Sequence, residues 1–310
     1  MWLFRSIIVI QGARPAASSP VCHGYNGAVL IGLSTPVVVQ TPAAASPWER
    51  AADIEDVARI AETADRLGFD YLTCSEHVAV PVDDAAVRGA VYWDPLATFG
   101  FLAARTTRIR LATSVLVLGY HHPLEIAKRY GTLDRVSDGR LVLGVGVGSL
   151  RAEFDMLGAT WGDRGARADD AIRALRSSLS VREPSYRGEF YRYEAIVVEP
   201  SAVQPRVPIW VGGRSRRSLR RAVTLADGWM PFGLRSVEIA EMLAAQDIPD
   251  RFDVILPVGP LDPGARAACL KRLRTLRGVG ATGVTCTVAA SSVDHYCEQL
   301  ASLRELVEEL

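Results

Sequence analysis

The chain has 310 residues, 49% of them apolar, and its 35 Lys and Arg are balanced by 35 Asp and Glu. That much apolar material fills one large core, and a net charge of zero gives no field to draw nucleic acid or an anionic membrane. Five scattered cysteines (Cys22, Cys74, Cys269, Cys286, Cys297) without C-x-x-C spacing argue for reduced thiols in a cytoplasmic protein, and no apolar run approaches the ~18 residues that span a bilayer.

The first 28 residues fit poorly with the rest: a short apolar stretch, then a small, Pro-rich one. A misassigned start or a disordered extension is the expectation, with a secretory signal as the alternative. From residue 29 onward the pattern alternates. Strands are predicted at 29–33, 69–74, 109–115, 141–145, 209–213, 227–232, 252–257 and 283–288. Helices are predicted at 46–67, 94–105, 124–136, 164–181, 215–226, 236–246, 264–278 and 293–309. Ser46-Pro47-Trp48-Glu49 carries N-cap chemistry for the first helix, and Gly68 supplies its stop. Residues 183–208 break the alternation, with a hairpin expected between 188–193 and 196–198.

Uniform β/α alternation without a long central crossover predicts an α/β fold, a (β/α)8 TIM barrel with an insertion after the fourth helix, in one domain over 29–310. The run Gly139-Arg-Leu-Val-Leu-Gly-Val-Gly-Val-Gly-Ser looks at first like a dinucleotide fingerprint. It follows three strand–helix units instead of opening the first, and Ser149 stands where the third glycine belongs. Gly144, Gly146 and Gly148 are expected to bare the backbone at a strand end for close approach of a ligand.

Chemistry in such barrels collects at the carboxyl ends of the strands. Those positions are Ser75, Glu76 and His77; Ser114, Val115 and Val117, with His121 and His122 beyond; Gly146 to Ser149; and Gly212 to Arg216. His77 is the candidate proton-transfer residue, with Glu76 as a cap or as the orienting partner of its ring. Gly212-Gly213-Arg214-Ser215 opens a helix directly after a strand, and with Arg216 and Arg217 suits a phosphate. Adjacent histidines diverge and lack a third ligand at metal spacing, so no metal is expected.

With these residues in view, the sequence resembles the luciferase-like monooxygenase superfamily, and within it the oxidoreductases that use the deazaflavin coenzyme F420. The matching stretches are Ile31-Gly-Leu-Ser, Gly68-Phe-Asp-Tyr-Leu-Thr-Cys-Ser-Glu-His, Trp93-Asp-Pro-Leu, Thr107-Arg-Ile-Arg-Leu-Ala-Thr-Ser-Val-Leu, Ser137-Asp-Gly-Arg-Leu-Val-Leu-Gly, Ile209-Trp-Val-Gly-Gly-Arg-Ser and Ala226-Asp-Gly-Trp. The resemblance implies a non-prolyl cis peptide at Ser114-Val115 behind the cofactor ring, His77 as the active-site histidine and Glu76 as an acid that touches the cofactor. It assigns Val147-Gly148 and Gly212-Gly213 with Ser215-Arg216 to the loops that hold the ring and phosphate tail.

It also implies hydride transfer between F420 and a small substrate, and a homodimer. An FMN-dependent two-component monooxygenase is the alternative, and a non-catalytic flavin-binding member the second. Sugar-phosphate dehydrogenases of the family carry a catalytic Glu where this chain has Ser149, so the second acid–base group is absent or supplied elsewhere. Loops 78–92, 150–163 and 183–208, with Tyr92, Trp93, Phe154, Met156 and Trp161, predict an apolar substrate.

Overall fold

In the computed structural model, which describes residues 29–42 and 45–310, eight parallel strands close on themselves. They are β1 (Leu30–Ser34), β2 (Tyr71–Cys74), β3 (Arg110–Thr113), β4 (Leu141–Gly146), β5 (Ile209–Gly212), β6 (Gly228–Met230), β7 (Asp253–Leu261) and β8 (Gly283–Val288). Each pairs with its neighbours in chain order, β8 with β1 and β4 with β5, so no edge is left open. Outside them lie α1 (Ile54–Leu67), α2 (Pro95–Arg105), α3 (Pro123–Val136), α4 (Arg164–Ser178), α5 (Arg216–Leu225), α6 (Ser236–Ala244), α7 (Arg266–Val279) and α8 (Val293–Val307). The predicted (β/α)8 TIM barrel is therefore the fold, with the insertion between α4 and β5. The expectations for residues 1–28, Cys22 among them, concern positions outside the described residues.

The apolar residues divide into two layers. Val57, Ile60, Ala61 and Ala64 of α1 recur at helical spacing and pack with Ile31, Leu33 and Leu72 between the barrel and its helices. Inside the barrel, Tyr71, Ala112, Val142, Trp210, Met230 and Ile255 form a second cluster. Tyr71 and Trp210 meet edge to face at 5.2 Å. The polar ends of both rings are satisfied: the Tyr71 hydroxyl donates to the Val284 carbonyl at 2.8 Å, and Trp210 Nε1 donates to Asp253 Oδ2 at 2.9 Å. This filled interior leaves the chemistry to the strand ends.

Several boundaries move, each for a local reason. The first helix does not start at Ser46. Pro47–Arg50 is one 3-10 turn, because the Glu49 carboxylate turns back to accept the N–H groups of Ser46 (2.6 Å) and Val37 (2.8 Å). Asp53 then caps α1 by accepting the Glu55 and Asp56 N–H groups, and Gly68 ends it at φ +78°. The third strand stops at Thr113, ahead of the cis Ser114–Val115 peptide, and pairing resumes over Leu116–Val117 alongside β4.

The hairpin of the insertion pairs Tyr186–Arg187 with Arg192–Tyr193 and does not reach 196–198. Asp170 of α4 holds it by accepting the Phe190 (2.7 Å) and Tyr191 (3.1 Å) N–H groups. Further along, Asp134 of α3 accepts the N–H groups of Val203 and Gln204. No described helix is long and apolar enough to cross a membrane.

Candidate active site

The exits of β2 and β3 are fastened together, and that seam positions the candidate residues. Ser114 N–H donates to the Cys74 carbonyl (2.8 Å), Ser75 Oγ to the Ser114 carbonyl (2.7 Å), and Glu76 N–H to the Val115 carbonyl (3.4 Å). The cis peptide expected at Ser114-Val115 is present there. Val115 sits against two glycines. A Cβ on Gly146 would come within 2.5 Å of one Val115 methyl, and a Cβ on Gly212 within 2.7 Å of the other.

Two more glycines of the run are also close-packed on the side where a Cβ would sit. Gly144 makes room for the Thr113 carbonyl, which a Cβ would meet at 1.8 Å, and Gly148 (φ +79°) lies against Phe154.

Glu76 and His77 leave the β2 exit in different directions. Glu76 is buried; its Oε2 accepts the Val117 N–H at 2.7 Å, and its Oε1 meets His121 Nε2 at 2.7 Å. It is therefore the partner of His121 and does not orient His77. Burial works to lower the His121 pKa, but the hydrogen bond and charge of Glu76 outweigh it and raise it above the usual imidazole value. His122 points away, capping α3 by accepting the Leu124 N–H at 3.2 Å and packing on Tyr191. Among the described residues no three metal-ligating side chains converge.

The partner of His77 is Glu153, which the sequence did not reveal. His77 Nδ1 lies 2.7 Å from Glu153 Oε2, and the Tyr120 hydroxyl donates to the same oxygen at 2.7 Å. Glu153 Oε1 accepts the Val78 and Ala79 N–H groups at 2.6 and 3.2 Å. The Glu153 side chain is wholly enclosed and that of His77 is 17% exposed. Burial pushes the Glu153 carboxyl up, yet the hydrogen bonds from His77, Tyr120 and Ala79 prevail and hold it below the usual glutamate range. An ionised Glu153 accepts from Nδ1, so a neutral His77 carries its proton there and presents Nε2 as an acceptor. Nε2 has no protein partner among the described residues. The Tyr92 ring stands edge-on to the imidazole at 4.6 Å.

Glu153 comes from a short helix, Arg151–Met156, one turn beyond Ser149. The signal was a Glu-Phe pair after the glycine run: Phe154 is also fully buried, wedged between Tyr120 (4.9 Å) and Trp161 (5.2 Å). Phe154 is thus core and not a substrate wall, whereas Met156 is exposed. Ser149 is exposed and accepts a 3.4 Å hydrogen bond from Arg88 Nη1.

At the β5 exit, Gly213 (φ +138°) turns the chain and Ser215 caps α5 by accepting the Ser218 N–H at 3.2 Å. Arg214, Arg216 and Arg217 are exposed and make no ion pair among the described residues. A separate cavity of about 260 Å³, lined by Asp70, Arg108, Arg110 and Arg140, opens at the opposite end of the barrel. Arg140 is spent there on the carbonyls of Ala103, Thr106, Ile109 and Ser137 and on the Thr106 hydroxyl, so it braces the fold.

The luciferase-like monooxygenase family model matches residues 31–247. The chain belongs to that family. It is 32% identical over 197 residues to the uncharacterized protein Rv0953c of Mycobacterium tuberculosis, covering 59% of this chain and 70% of that one. It is 31% identical over 179 residues to an F420-dependent glucose-6-phosphate dehydrogenase of Nakamurella multipartita (56% and 51% of the two chains). To an FMNH(2)-dependent dimethylsulfone monooxygenase of Pseudomonas fluorescens it is 28% identical over 184 residues (58% and 48%). Among solved structures, the coenzyme F420-dependent tetrahydromethanopterin reductase of Methanopyrus kandleri superposes with a TM-score of 0.71 over 91% of this chain and 99% of that one, at 14% identity.

Proposed function

We propose that this protein is an F420-dependent oxidoreductase that moves a hydride between the deazaflavin and a small organic substrate, with His77 carrying the accompanying proton. The observation that carries the reading is the His77–Glu153 pair at 2.7 Å, a buried carboxylate behind a partly exposed imidazole. The surroundings fit the cofactor. Val115 and Val147, both partly exposed, offer an apolar floor between the strand ends. The N-terminus of α5, with Ser215, Arg216 and the neighbouring arginines beside Gly212 and Gly213, offers amides and cations to a phosphate. Gly148 and Val117 lie beside the same floor.

When bound, the deazaflavin supplies the hydride chemistry. The protein does the rest. Glu153 fixes the tautomer and plane of His77 and stabilises the imidazolium once Nε2 has taken a proton from a substrate hydroxyl; in the reverse direction Nε2 returns that proton. Glu76 works one step removed, tying His121 to the Val117 amide and so holding the segment that carries Val115. The cysteines and the resemblance support a cytoplasmic homodimer. The Pseudomonas relative favours FMN as the second reading.

The test is cofactor turnover in His77→Ala. The reading predicts a 10²–10⁴-fold loss in kcat with cofactor affinity intact, about what general acid–base catalysis supplies; unchanged turnover ends the role of His77.

A further inference from the structure

Arg88 stands at the mouth of this site without a counter-charge. It closes the short helix Val82–Arg88, and its carbonyl accepts the Tyr92 hydroxyl at 2.6 Å. Tyr92 is the ring that stands edge-on to His77, so the backbone of Arg88 is fastened to the histidine's own neighbour. The guanidinium crosses to the facing loop, where Nη1 meets the neutral Ser149 hydroxyl at 3.4 Å. Among the described residues it makes no ion pair, not even with Asp84 one turn earlier. Glu153, the carboxylate that orients His77, is enclosed behind it and already committed to four donors.

The same two loops expose apolar side chains: Val78 is 57% exposed, Val87 81% and Met156 56%. An arginine on an apolar rim has its planar fork free to read a carboxylate with two parallel hydrogen bonds. The rim suits a hydrocarbon body. A sugar phosphate lacks that body.

We propose that Arg88 is a specificity-determining residue and that the substrate is an apolar carboxylate, its carboxyl group held by Arg88 and its hydrocarbon part lying on the rim beside His77. This rests on the proposed function only for what happens after binding. The Ser149 contact then serves to hold the guanidinium across the opening until substrate arrives.

The experiment is calorimetric titration of the full chain with 4-phenylbutyrate and its neutral analogue 4-phenylbutanol, in wild type, Arg88→Gln and Arg88→Lys, each with and without F420. The proposal predicts at least tenfold tighter binding of the carboxylate by wild type, loss of that preference in Arg88→Gln and partial recovery in Arg88→Lys. Equal affinity for the two probes, no binding of the carboxylate, or a preference that survives Arg88→Gln overturns it. So does a result in which Arg88→Gln weakens F420 binding and leaves the probes alone, since the cation would then serve the cofactor's own anionic tail. Failure of the cofactor reading is distinct: it appears as absence of F420 binding in wild type, whatever the probes do.

Discussion

His77 Nδ1 and Glu153 Oε2 lie 2.7 Å apart, although 76 residues separate them in the chain. The pair joins the loop after β2 to the helix after β4. In Glu153→Gln the amide would present N–H to Nδ1 and force the proton to Nε2, the wrong tautomer for a base. We expect kcat to fall about 10²–10⁴-fold, the usual contribution of general acid–base catalysis. Stopped-flow turnover checks this, with melting temperature measured alongside to separate a chemical loss from an unfolded variant.

Gly146 and Gly212 leave space for the two methyls of Val115. Gly146→Ala is expected to destabilise by about 1–3 kcal/mol, as overpacking does, and to weaken cofactor binding by displacing the floor. Adding Val115→Ala removes the methyl that the new Cβ strikes. A double-mutant cycle in denaturant unfolding should therefore show recovery of at least part of the loss.

The Glu76–His121 pair predicts a sign for pH dependence. The folded-state pKa of His121 is raised by Glu76, so its stabilising contribution is full below the unfolded imidazole value and is lost as pH rises through the folded one. The stability advantage of wild type over His121→Gln should thus be larger near about pH 5.5 than near about pH 9, read from urea midpoints. A constant difference would show that the pair does not titrate in this range.

Asp65 of α1 pins the start of β3 by accepting the N–H groups of Thr107 (2.9 Å), Arg108 (2.8 Å) and Ile109 (2.6 Å). Burial pushes this carboxyl up, but those amides outweigh it and hold it below the usual aspartate range. Its contribution is present above the unfolded aspartate value and is lost as pH falls through the folded one. Asp65→Ala strands three amide donors, one of them buried, and should cost about 2–4 kcal/mol at neutral pH, measured by chemical denaturation.

How much of this was legible in the sequence follows from the range of the forces involved. Strand and helix order was legible because apolar periodicity and helix stops such as Gly68 are local. His77 was legible because it follows a buried strand directly. The glycine run was located correctly, but its role depends on Val115 and Phe154, which approach from other elements. Glu153 sits in Arg-Ala-Glu-Phe-Asp-Met, where its charge looks like one more solvated residue. Only the fold brings His77, Tyr120 and two backbone amides around it. The partner of Glu76 was hidden for the same reason: sequence offers it a capping role or its neighbour His77, whereas His121, 45 residues away, reaches it only in space.

The most direct test of the account is thermal melting of the purified protein against F420 and FMN, each titrated to saturation. At 100 times its dissociation constant a ligand adds about 2.7 kcal/mol of stability, an easily resolved shift. The account predicts a saturable rise in melting temperature with F420 and none with FMN. A rise with FMN alone, or with neither, would contradict it.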